Sequence, residues 1–162
     1  MRPEISESDG RRALRDHACE KAAIARGRYG PIIDAAAILR ILGDAEIVRY
    51  PTRLVFDAIG LMPGEFAHAA PLGEHPRDGF EVRVHPLFES RRDLWPLLVA
   101  YHLPPINYGD IVAPEDCEQF GAALLGMDVE RYYETLCELS DSITDAACDD
   151  GSHVARTEGT RA

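Results

Sequence analysis

The chain has no apolar run near the ~20 residues that a membrane-spanning helix needs. Nor does a charged start lead into an apolar stretch, as a signal peptide would require. These two absences lead to the expectation of a soluble, cytoplasmic protein with reduced thiols. Its four cysteines, Cys19, Cys117, Cys137 and Cys148, form no C-x-x-C pair, so the usual zinc and redox spacings are missing. Cys117 and Cys137 fall in predicted helices and read as small packed hydrophobes. Lysine is nearly absent, Lys21 being the only one, while arginine is plentiful; no function class follows from that.

The motifs of several enzyme classes are missing too. The glycines make neither a phosphate-binding loop nor a dinucleotide fingerprint. There is no G-x-S-x-G nucleophile elbow. No H-E-x-x-H occurs, and no two histidines stand four apart to share a helix face. No internal repeat is visible.

The 162 residues are enough for one domain with its own core. The net charge of -11 is unevenly spread: residues 1–30 carry seven Lys/Arg against five Asp/Glu, whereas residues 114–150 carry eleven Asp/Glu and one basic residue, Arg131. That acidic stretch repels phosphate backbones and anionic membrane surfaces, so neither nucleic acid nor membrane is an expected partner. Solubility or a basic protein partner suits it better.

Residues 1–10 are polar and read as a flexible arm, followed by a single domain over 11–143 and a flexible polar tail over 144–162. Leu14, Ala18, Ala22 and Ala25 repeat at helical spacing over Arg11–Arg26, with Gly27 as the stop. A second helix is predicted from Pro31 to Leu42, with proline in its first turn. Ile47, Val48 and Tyr50 read as a short strand ended by Pro51, and Leu54, Val55 and Phe56 as another. Phe80–His85 alternates apolar and polar, the clearest strand signal in the chain. Between them, Gly60–Gly79 reads either as a long loop or as a loop hiding a strand near Glu65–His68. A helix capped by Asp93 is predicted to end at His102-Leu103-Pro104-Pro105. Pro114 and Asp128 open two further helices, joined at Gly126 into an αα-hairpin, with Met127 packing on Tyr132 as a staple. The expected fold is α+β: a small, mostly antiparallel sheet of about three strands covered by helices, helix-dominant and ending in the hairpin.

Two function classes remain. Four histidines, His68, His75, His85 and His102, lie between residues 68 and 102, and Glu74 shares the long loop. Imidazoles with a carboxylate are the ligands of catalytic zinc or non-haem iron. His68, Glu74, His75 and His85 are therefore the candidate metal ligands of a small metal-dependent enzyme, a hydrolase or oxygenase using metal-bound water. Their gaps match no metal motif, however, and scattered surface or capping histidines are the plainer reading. Asn107-Tyr108-Gly109-Asp110 reads as a turn, and Tyr132-Tyr133 as core, with an oligomer seam as the lesser reading. Helix 128–143, with five carboxylates against one arginine, is unsuited to the major groove. The favoured reading is an acidic interaction or regulatory module that uses the 114–143 hairpin for a basic protein partner or self-association.

Overall fold

The computed structural model describes residue 4 and residues 6–154. Helix α1 (Glu7–Tyr29) starts at an N-cap serine: Ser6 Oγ accepts from the Asp9 N–H while the Asp9 carboxylate accepts from the Ser6 N–H, a reciprocal capping box. The helix thus begins inside the segment read as an arm, because Ser6 and Asp9 stand three apart. It also runs past Gly27, which carries no left-handed bend, and stops at Gly30.

Helix α2 (Ala35–Leu42) begins four residues later than expected. Pro31 follows a cis peptide bond, and the cap is Asp34, whose Oδ1 accepts from the Ala37 N–H at 2.8 Å. Its buried face is Ala35, Ala37, Ile38, Ile41 and Leu42, while Ile32, ahead of the helix, and Leu39 are exposed. Ile47 and Val48 are buried but form no strand. Their N–H groups bond to Asp44 O, and Asn107 holds the segment from the other side by accepting from Arg49 N–H and donating to Ile47 O, both at 2.8 Å. Asn107 is thus a buried clamp on a helix, not part of a turn.

The sheet has the order β1-β3-β2, from β1 (Thr52–Phe56), β2 (Ala67–Pro71) and β3 (Phe80–Val84). The strand hidden in the long loop is β2, which pairs antiparallel with β3; Pro71 is tolerated at its end because β2 is an edge strand. β1 pairs parallel with β3, Leu54 opposite Val82. The sheet is therefore mixed, with β2 on the far side of β3 from β1. One face presents Val82, Val84 and Ala67 to the core. The other carries Glu81 between Arg53 and Arg83, which hold its carboxyl below the usual range, Arg53 first.

Two short helices, α3 (Trp95–Ala100) and α4 (Leu103–Tyr108), replace the single predicted one. Pro104 and Pro105 do not end the helical region. They open α4, in the first turn, where a missing N–H costs nothing. Asp93 pairs with Arg91 instead of capping. Helices α5 (Pro114–Leu125) and α6 (Val129–Val154) form the expected hairpin, turned at Gly126 in the left-handed region (φ 65°). α6 continues beyond Ile143 to Val154, well into the predicted tail; residues 155–162 lie outside the described residues. The helix-dominant α+β reading holds. Among the described residues no helix is long and apolar enough to cross a membrane.

The hairpin is tied in at both ends. Asp116, almost wholly buried, accepts from Arg15 Nε at 3.1 Å and from the Ala113 N–H at 3.0 Å, so both carboxylate oxygens are satisfied. On α6, Tyr132 is fully buried and donates its hydroxyl to Leu97 O at 2.8 Å. Gly121 lets the two helices approach: a Cβ there would collide with the Tyr132 ring. Met127 packs against the buried cluster of Ala122, Tyr132 and Leu136.

Candidate functional site

The predicted metal ligands are divided between the two ends of the β2–β3 pair. His68 lies opposite Arg83, and His85 follows the end of β3. Glu74 and His75 sit on the exposed connection at the other end, beyond Pro71. Three residues of strand, roughly 10 Å, separate His68 from Pro71 before that connection begins. Among the described residues no three His, Cys, Asp or Glu side chains are placed to hold one metal ion. The set His68, Glu74, His75 and His85 is thus not brought together. His75 and His85 instead precede short 3-10 turns, and His85 Nδ1 accepts from the Leu87 N–H at 3.1 Å. His68 packs its ring near Gly60, with Nδ1 4.0 Å from Glu65 Oε1. Its Nε2 is buried without a hydrogen-bond partner among the described residues.

A different grouping forms where the segment entering β2 crosses the hairpin. Gly64, in the left-handed region (φ 78°), passes close over α6: its carbonyl accepts from Ser140 Oγ, and a Cβ would lie 3.5 Å from Thr144 Oγ1. Glu65 and Phe66 follow. Tyr101 and His102 come from the break between α3 and α4, Glu118 from α5, and Tyr133, Leu136 and Cys137 from α6. Together they enclose a cleft of about 390 Å³, within the range of sites for small groups. Three rings meet edge-on at its corner: Phe66 with Tyr101 (6.2 Å between centroids), Phe66 with His102 (5.8 Å) and Tyr101 with His102 (5.3 Å).

The electrostatics are one-sided. Among the described residues no lysine or arginine lines the cleft. Burial, followed by the neighbouring His68, lowers the His102 pKa to about 4, so the ring is neutral at physiological pH. Its Nε2 is buried and, like that of His68, has no partner among the described residues. Burial, then repulsion from Glu115, raises the carboxyl of Glu118. Glu118 makes no ion pair among the described residues. Tyr101 is pushed up to about 12, chiefly by burial and then by Cys117 and the nearby acidic groups. The cleft thus offers hydrogen-bond acceptors and ring faces and, among the described residues, no cationic side chain.

Of the four histidines between residues 68 and 102, the cleft takes up only His102 as a lining residue. Tyr101, Glu118, Tyr133 and Cys137 were not singled out as site residues by spacing. Tyr133 is 53% exposed, unlike the core tyrosine beside it, and Cys137 is exposed rather than packed. A signal was present: Tyr133, Cys137 and Ser140 recur at i, i+4 and i+7, a second stripe alongside the Tyr132–Leu136 core stripe. The chain matches no protein-family model, no curated protein and no solved structure.

Proposed function

We propose that the protein is an interaction module whose terminal hairpin receives a basic partner at the cleft between α5, α6 and the segment entering β2. One observation carries the reading: an aromatic-walled cleft holds Glu65 and Glu118 with, among the described residues, no basic side chain in its lining. Around it, the hairpin exposes Glu115, Glu130, Glu134, Glu138 and Asp141 against a single Arg131. Such a field attracts a positively charged partner at long range, and the cleft supplies the short-range contact.

The test is titration with a short peptide rich in arginine and lysine, at 50 and 500 mM salt. The expected outcome is saturable binding that weakens at least several-fold at the higher salt and weakens again in Glu118→Gln. No binding, or binding that ignores salt and survives joint neutralisation of Glu130, Glu134 and Glu138, would overturn the reading. Sedimentation of the chain alone distinguishes self-association: a stable dimer that buries the cleft would place a second copy where the basic partner is proposed to sit.

A further inference from the structure

Resting on that reading, we infer that the group entering the cleft is the side chain of an arginine, its guanidinium lying between Glu118 and the rings of Tyr101 and Tyr133. The molecule's own pairing habits point to this. Three of its aromatic rings carry a guanidinium over them: Arg40 over Tyr29 at 5.0 Å, Arg49 over Tyr50 at 5.4 Å and Arg92 over Trp95 at 4.6 Å. Three of the buried or partly buried carboxylates among the described residues are matched to arginine as well: Asp44 with Arg28, Glu81 with Arg53 and Arg83, Asp116 with Arg15. The cleft brings both kinds of surface together and, among the described residues, has an arginine on neither.

The chemistry selects arginine over lysine. A guanidinium is planar, stacks on rings, presents five donors and no acceptor, and is more weakly hydrated than an ammonium. The cleft complements it with the Glu118 and Glu65 carboxylates. Ser140 uses its hydroxyl proton on Gly64 O and keeps its lone pairs. Phe66 and Leu136 give the three methylenes of an arginine stem an apolar wall. Ring and carboxylate acting together on a partly desolvated guanidinium raise affinity beyond what the acidic surface alone gives.

The test uses blocked single amino acids on the full chain: N-acetyl-arginine methylamide, its lysine counterpart and its citrulline counterpart, the last keeping the shape without the charge. Binding is followed by amide chemical shifts, with melting temperature as a control of folding. Saturable shifts confined to residues around Gly64–Ala67, Glu118 and Tyr133–Ser140 are expected. Arginine should bind at least fivefold tighter than lysine, and citrulline should leave the signals unmoved. Glu118→Gln should weaken arginine binding about tenfold, the scale of one charge-assisted contact. Tyr133→Leu should weaken it several-fold. Both residues are at least partly exposed, so neither variant should lower the melting temperature. Equal affinity for arginine and lysine, or insensitivity to Tyr133→Leu, would overturn the arginine inference and leave the basic-partner reading standing. Failure of both these compounds and the basic peptide would end both.

Discussion

Gly121→Ala tests the packing of the hairpin, and its sign is informative. Gly121 lies inside α5, where alanine is the better helix former by about 1 kcal/mol. If only local propensity mattered, the substitution would stabilise. The new methyl, however, falls within the contact distance of the Tyr132 ring, which is fully buried and anchored through its hydroxyl to Leu97 O. Overpacking of this kind costs about 1–3 kcal/mol. If the ring swings away, Leu97 O loses its donor, and an unsatisfied buried acceptor costs about 1–3 kcal/mol more. With both costs, and after the propensity gain, the net expectation is a loss of about 1–5 kcal/mol. Urea unfolding followed by fluorescence is well suited, since Trp95 is the sole tryptophan and is buried with its Nε1 donating to Phe88 O. A shorter side chain at 132 should relieve the collision: Gly121→Ala combined with Tyr132→Leu should lose at least about 1 kcal/mol less than the two single losses summed. A neutral or stabilising Gly121→Ala, or strict additivity, would refute the proposed contact.

Four further outcomes are expected. Asn107→Ala should destabilise by about 2–4 kcal/mol, since it strands both Arg49 N–H and Ile47 O; a shift under 1 kcal/mol in urea would show that the clamp contributes little. Because the His102 pKa falls from 6.5 to about 4 on folding, the unfolded chain takes up the proton first: stability is full above about pH 6.5 and declines toward pH 4, by at most about 3 kcal/mol. That slope should flatten in His102→Phe, and an unchanged slope would point to other groups. Mass-spectrometric mapping after mild alkylation should find Cys137 modified and Cys117 protected, since Cys117 is buried with its thiol pushed up to about 12; early modification of Cys117 would contradict its packing. Finally, a chelator should leave the melting temperature of tag-free protein unchanged, because the predicted ligands are held apart by the β2–β3 hairpin; a drop of several degrees would reinstate a metal site.

Much of the fold could be read from local chemistry. Period-2 alternation marked β3, and the glycine at 126 with carboxylates following Pro114 marked the hairpin. Misreadings arose where tertiary contacts override local pattern. Ile47 and Val48 have strand-forming side chains, but Asp44 O and Asn107 take up the backbone bonds near them. The prolines at 104 and 105 look like a stop, yet they are equally suited to a first turn, and only the packing of Leu103 and Ile106 in the core decides between these. The cleft was legible only in part. Its acidic wall was plain from composition, but its aromatic corner joins Phe66 to Tyr101 and His102, and no spacing relates residue 66 to that pair. The candidate metal set is not grouped among the described residues for the complementary reason: Glu74 and His75 are near His68 in sequence, but an extended strand carries them away from it.

The Arg15–Asp116 pair has a consequence for synthesis. Its partners are 101 residues apart, and α1 rests its apolar side on α5. At a ribosomal rate of about 5–20 residues per second, α1 leaves the ribosome roughly 5–20 s before the helix it covers. Until then Ala18, Ala22 and Ala25 have no α5 to bury them, and Arg15 has no carboxylate. The small residues on that face suit this interval: a stripe of alanines exposes far less adhesive surface than leucines would while it waits for its partner.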